Sequence, residues 1–100
     1  MMNINEDVIE KIAIDVGISP PELTAAGLLA LLREKKRRIM VERLDILTLY
    51  NVISAEELEK KVKNAEIPEH PAWEDLILVE NLEASIAAID GDIKAIQKPS

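Results

Sequence analysis

The apolar positions of this chain fall into four helical patterns separated by short turn signals. The plainest lies toward the C-terminal end, where Val79, Leu82, Ile86, Ile89, Ile93 and Ile96 recur at spacings of three and four, and Leu76 extends the series backward. Ala84, Ala87 and Ala88 flank this seam, while Glu80, Glu83, Asp90 and Asp92 occupy other faces. A stripe this narrow and regular packs against another helix. Pro71 suits the first position of that helix, where the missing N–H would have no intrahelical partner. Before it, Ile67-Pro68-Glu69-His70-Pro71 is a stiff connector, because each proline restricts itself and its predecessor.

The stretch from Ser19 to Asn51 predicts a second, longer helix. Ser19 and Glu22 stand at capping-box spacing around Pro20 and Pro21, and only Gly27 interrupts the good helix formers that follow. Roughly thirty residues at 1.5 Å rise make a rod of about 45 Å, which exceeds the needs of a compact domain of this length, with its radius of gyration of about 13 Å. Leu23, Ala26, Leu28, Leu29, Leu31 and Leu32 cover most of its circumference. Residues 33–38 then place a charge on every face, and the apolar pattern resumes at Ile39, Met40, Leu44, Ile46, Leu47, Leu49 and Tyr50.

Two shorter patterns complete the set. Val8, Ile9, Ile12, Ala13 and Val16 repeat at helical spacing behind Asn5 or Asn3 as cap, with Glu6 and Asp7 in the first turn and Gly17 as the stop. Asn51 suits a left-handed helix end, and Ser54 with Glu57 forms a second capping box before a helix from Ala55 to about Asn64, with Leu58 and Val62 inward. The expected fold is all-α: one domain over 1–100, an antiparallel helical hairpin or bundle of about four helices. Its hairpin spans 39–97, with a long central helix and a long heptad-patterned C-terminal helix, and residues 1–32 form the oligomerisation region. Leu28, Leu29, Leu31 and Leu32 take up too much circumference for one neighbour. They are expected to meet a second copy about a two-fold axis, with the charged block marking where that contact gives way to the hairpin.

Composition narrows the function. Tyr50 and Trp73 are the only aromatic residues, so burial comes from Leu, Ile, Val and Ala. A net charge of −7 argues against whole-surface binding to nucleic acid or to an anionic membrane. Without cysteine there is no disulfide, thiolate nucleophile or Cys-based metal site. The opening residues have neither a basic region nor an apolar run, and no later run approaches the ~18 apolar residues of a membrane span. The cytoplasm is therefore the default compartment, and no cofactor is expected.

Candidate chemistry is sparse. Ala13, Gly17 and Leu23 match the small, turn and apolar positions of a helix-turn-helix, yet the residues that would reach base edges, Pro20, Pro21, Glu22, Thr24, Ala25 and Ala26, offer almost no donors. Arg33, Lys35, Lys36, Arg37 and Arg38 form the only cationic concentration. They could contact phosphates, but Glu34, Glu42 and Asp45 are near enough in sequence to pair with some of them, which leaves a solvated waist, an acidic protein partner or nucleic acid as readings. His70 among Glu69, Glu74 and Asp75 is a thin ligand set. Trp73, at the start of a helix, is either a lid over the hairpin core or an exposed anchor for a partner. Ser19, Thr24, Thr48, Ser54 and Ser85 have no histidine nearby, and no glycine loop cradles phosphate. The run Leu82 to Ile93 resembles the opening helix of helical chorismate mutases, but lacks the arginines that would grip a dicarboxylate. A small helical enzyme is the third reading.

A further resemblance covers more of the chain. Leu44, Tyr50-Asn51-Val52, Ser54-Ala-Glu-Glu-Leu58-Glu59, then Glu69-His70-Pro71-Ala72-Trp73-Glu74-Asp75 and Glu80-Asn-Leu-Glu83 resemble the C-terminal half of small helical antitoxins of prokaryotic and archaeal toxin–antitoxin pairs. The resemblance implies an acidic helical surface that holds a toxin, with Trp73, Glu74, Asp75, Glu80 and Glu83 as contacts. The expected function is thus a non-enzymatic protein-interaction module. A weak nucleic-acid-binding regulator using the block 33–38 is the alternative.

Overall fold

Side chains supplied by the sequence relieve the first N–H groups of three of the four helices. In the computed structural model, which describes residues 5–98, Asn5 caps α1 (Glu6–Val16) by accepting from the Val8 N–H at 3.0 Å. The alternative cap Asn3 lies outside the described residues. Ser19 caps α2 (Pro20–Leu49) as a full capping box: its Oγ accepts from the Glu22 N–H at 3.2 Å, and its own N–H donates to Glu22 Oε1 at 3.4 Å. At α3 (Ala55–Lys63) Ser54 accepts from the Glu57 N–H, but Glu57 reaches back to the N–H of Ile53 rather than to that of Ser54. The last helix, α4 (Glu69–Gln97), has no side-chain cap and non-helical backbone at His70, so its regular part starts at Pro71, as the proline rule requires.

Helices α1, α2 and α3 end in one motif, with a left-handed residue whose successor bonds back five residues. Gly17, Asn51 and Ala65 take the left-handed position, with φ of 78°, 54° and 57°. The N–H groups of Ile18, Val52 and Glu66 then donate to the carbonyls of Ala13, Leu47 and Lys61 at 3.0, 3.1 and 2.9 Å. Glycine and asparagine accept this backbone readily. Alanine does not, because its Cβ crowds the following carbonyl.

Helices α2 and α4 form an antiparallel hairpin. Along it Lys36 pairs with Asp90, Arg43 with Glu83 and Tyr50 with Asp75, so residue numbers rise on one helix as they fall on the other. Helix α3 closes one end. There Ile46, Leu47, Val52, Ala55, Leu58, Val62, Ala72, Leu76, Val79 and Leu82 make the core, with Leu47, Leu58 and Val79 fully buried. No polar side chain is buried among the described residues. Along the C-terminal seam Val79, Leu82 and Ile89 are buried, and Ile86, Ile93 and Ile96 half-buried.

The hairpin runs on through the charged block, since Lys36 reaches Asp90. At the far end α1 crosses α2 at 89° and buries only Ala13. The molecule measures 61 × 29 × 18 Å with a radius of gyration of 19.7 Å. It is a rod rather than the ~13 Å ball of this chain length.

The helix-end motif gives a direct test. Ala65→Gly removes the Cβ penalty and is expected to raise unfolding stability by about 1 kcal/mol, while Gly17→Ala, at the same backbone geometry, lowers it by a similar amount. Urea denaturation followed by far-ultraviolet circular dichroism reads both; equal midpoints for the two variants would mean that these residues do not hold the left-handed conformation in solution.

Candidate interaction groove

The apolar pattern of α2 splits after the charged block. Ile39, Ile46, Leu47 and Tyr50 turn toward the core, whereas Met40, Val41, Leu44 and Leu49 remain exposed. The resumed apolar pattern is thus divided between the core and the surface. The α4 seam presents one line of side chains, and it covers only one side of α2. Met40 (50% exposed), Val41 (45%) and Leu44 (59%) instead join Ile86 in the floor of an open groove between α2 and α4, about 860 Å³ in volume. Arg33, Lys36, Arg37, Arg43 and Glu83 complete its lining.

The rim is positive, and its charges are partly engaged. Lys36 Nζ lies 2.7 Å from Asp90 Oδ1, and Arg43 Nε donates to Glu83 Oε2 at 2.8 Å. Arg37 and Arg38 both donate to Glu34, at 2.8–3.0 Å. Their hydrogen bonds, from Arg37 first and then Arg38, hold the Glu34 carboxyl down at about 2, and the same bond raises the Arg37 guanidinium. Arg33 has no ion pair among the described residues. The basic block is thus partly paired. Nucleic-acid phosphates would have to displace Glu34 and Asp90 to use Lys36, Arg37 and Arg38 together. Lys35 and Arg38 lie on a second, smaller groove with Leu31, Glu34, Ile39 and Glu42.

The acidic residues of α4 do not form one free surface. Asp75 accepts from the Tyr50 hydroxyl, Glu83 holds Arg43, and His70 Nδ1 lies 2.9 Å from Glu74 Oε1. Glu74 sits below its ordinary value, first through a bond from its own backbone N–H and then through His70. Glu80 is exposed. Trp73 is 37% exposed, and Ala72 and Leu76 on either side of it fill the core. Of the four leucines expected at an oligomer contact, Leu28 and Leu31 are exposed, while Leu29 and Leu32 are half-buried and do not lie open with them. Sequence reasoning left out Val41, Ile86 and Arg43 as groove residues. The one available signal is the i, i+4 spacing of Met40 and Leu44.

A family model described as the Uncharacterized protein MJ0235 family matches residues 1–99. The chain belongs to that family. Comparison with curated proteins and with solved structures gives no match.

The Tyr50–Asp75 bond ties the end of α2 to the start of α4, and it titrates. Burial first, and then the Asp75 carboxylate, push the phenol up from 10.0 to about 12. Between those values the folded state keeps a proton that the unfolded chain has lost, so the stabilisation from this group is complete below pH ~10 and disappears toward pH ~12. Tyr50 is the only tyrosine, so tyrosinate absorbance reports it alone. Asp75→Asn is expected to lower the midpoint only part of the way toward 10, because burial is the larger cause. A midpoint at the ordinary value in the parent would show that the bond is absent.

Proposed function

We propose that this protein is a non-enzymatic protein-interaction module that seats a partner helix in the groove between α2 and α4. The groove supports this reading: its apolar floor is left open by the chain's own helices, and monomers seldom keep contiguous apolar surface without a use for it. Met40 gives the floor an adaptable side chain, and the cations around it select a partner carrying carboxylates. Helix-in-groove binding uses such a surface, with the partner's side chains at i, i+3, i+4 and i+7 filling it. The resemblance of residues 44–89 to small helical antitoxins adds a toxin as one form of that partner. The acidic stretch of α4 contributes less than the sequence implies, because Glu74, Asp75 and Glu83 are held by His70, Tyr50 and Arg43.

A photo-crosslinking amino acid placed at Leu44, in the cells that naturally contain the protein, tests the reading. Leu44 is exposed, so the change leaves the core intact. Irradiation is expected to give discrete protein adducts from position 44 and none from Glu56, an exposed position on α3. If position 44 gives no more adduct than position 56, the groove does not hold a protein.

A further inference from the structure

Helix α1 is the least covered element of the chain. Of its eleven residues only Ala13 is buried, and Val8, Ile12 and Val16, spaced i, i+4 and i+8 along one face, stay 44%, 42% and 59% exposed. Its charges are Glu6, Asp7, Glu10 and Asp15 against the single Lys11, which is itself paired with Asp15 at 2.9 Å. The helix is therefore amphipathic and acidic, the kind of segment that the basic-rimmed groove selects.

The two surfaces also agree in length. Eleven helical residues span about 17 Å, and the α2 segment from Arg33 to Leu44 spans about the same. They do not meet within one chain. Helix α1 is joined through Gly17 and Ile18 to the start of α2, and even the near edge of the groove, at Arg33, lies about 21 Å along α2 from Ser19. A 17 Å helix hinged at that corner falls short, and in the structure it points across α2 at 89°.

Building on the interaction-module reading, we infer that the occupant of the groove is helix α1 of a second copy, exchanged reciprocally between two protomers. Val8, Ile12 and Val16 of each chain seat on Met40, Leu44 and Ile86 of the other, and the α1 carboxylates face Arg33, the groove cation without an ion pair among the described residues. Two seats related by a two-fold axis double the buried area, toward the roughly 1,200–2,000 Å² of a stable interface. Like charge is not a barrier to this pairing, because the contact joins the acidic end of one chain to the cationic waist of the other.

Sedimentation equilibrium of the purified full chain is expected to give twice the 11.1 kDa protomer mass. Leu44→Asp and Ile12→Asp, both at exposed positions and checked for unchanged circular dichroism, each break both seats of their own dimer and should sediment as monomers. Mixed in equal amounts they should associate again, because the intact α1 of the Leu44→Asp chain meets the intact groove of the Ile12→Asp chain. A second measurement uses the absence of cysteine: an Ile12→Cys chain mixed with a Leu44→Cys chain should be joined by a short bis-maleimide, and a Glu56→Cys chain should not. A monomeric parent, failure of the mixture to associate, or equal crosslinking to position 56 would each overturn the exchange. A dimer that survives both Asp variants but is lost in Leu28→Lys, Leu31→Lys would place the contact on those leucines instead. A monomeric parent together with foreign adducts from position 44 would refute the second copy and leave the interaction module standing.

Discussion

The contact of Leu47, Leu58 and Val79 is the constraint on which the rest of the molecule depends. Each is fully buried, and each comes from a different helix. Burial of such a side chain contributes on the order of 1.5–3 kcal/mol. Truncating one to alanine would remove more than that, because a cavity remains. The turn after α2 belongs to the same unit: the Val52 N–H that closes the helix end onto the Leu47 carbonyl brings the Val52 side chain into the core beside it. Nine-residue α3 would not persist alone. It is held by Ala55, Leu58 and Val62, and in return fixes where α4 begins. Once that end is set, the antiparallel register follows, and the ion pairs Lys36–Asp90 and Arg43–Glu83 fall into place along it. Such part-exposed pairs contribute little each, so they record the register more than they create it.

That constraint sits at one end of a rod. Helix α3 supplies no side chain to the groove, which is lined from α2 and α4 alone, and beyond it the two long helices have each other until α1 meets α2 at the far end. A two-helix layer buries one stripe per helix. Helix α4 turns its main stripe inward and leaves Ile77 and Leu78 exposed; α2 has apolar residues on several faces and leaves more of them in water. The open groove and the exposed leucines therefore share one origin, a central helix with more apolar circumference than its own chain can cover.

Much of the fold was legible because it rests on local rules. Ser19 and Ser54 act as caps, Gly17 and Asn51 as left-handed ends, and the α4 seam faces inward, each from a spacing that physical chemistry interprets one way; for the first cap the spacing left Asn3 beside Asn5. Ala65 was not legible, since the motif that places it left-handed is set by Lys61 and Glu66 closing a turn, not by its own preference. The facing of α2 was not legible either. With Met40, Leu44, Ile46, Leu47 and Leu49 all apolar, periodicity names no inner side, and only the position of α4 decides it. Trp73 stayed open between lid and anchor for a related reason: the register of α4, which puts the small Ala72 and the longer Leu76 in the core, decides how far the indole is covered.

The uneven core also bears on how the α1 end is held. An isolated helix of eleven residues is marginal in water, and α1 gains from its own chain the Asn5 cap, the Gly17 turn and the burial of Ala13. Anything that covers Val8, Ile12 and Val16 binds the folded helix and not the frayed one, so occupancy stabilises that end by mass action. The core around Leu47, Leu58 and Val79 lies at the opposite end of the rod and is indifferent to this coupling. The chain thus differs along its length: the end around Leu47, Leu58 and Val79 specifies the hairpin by burial, and at the other end α1 keeps most of its apolar face exposed.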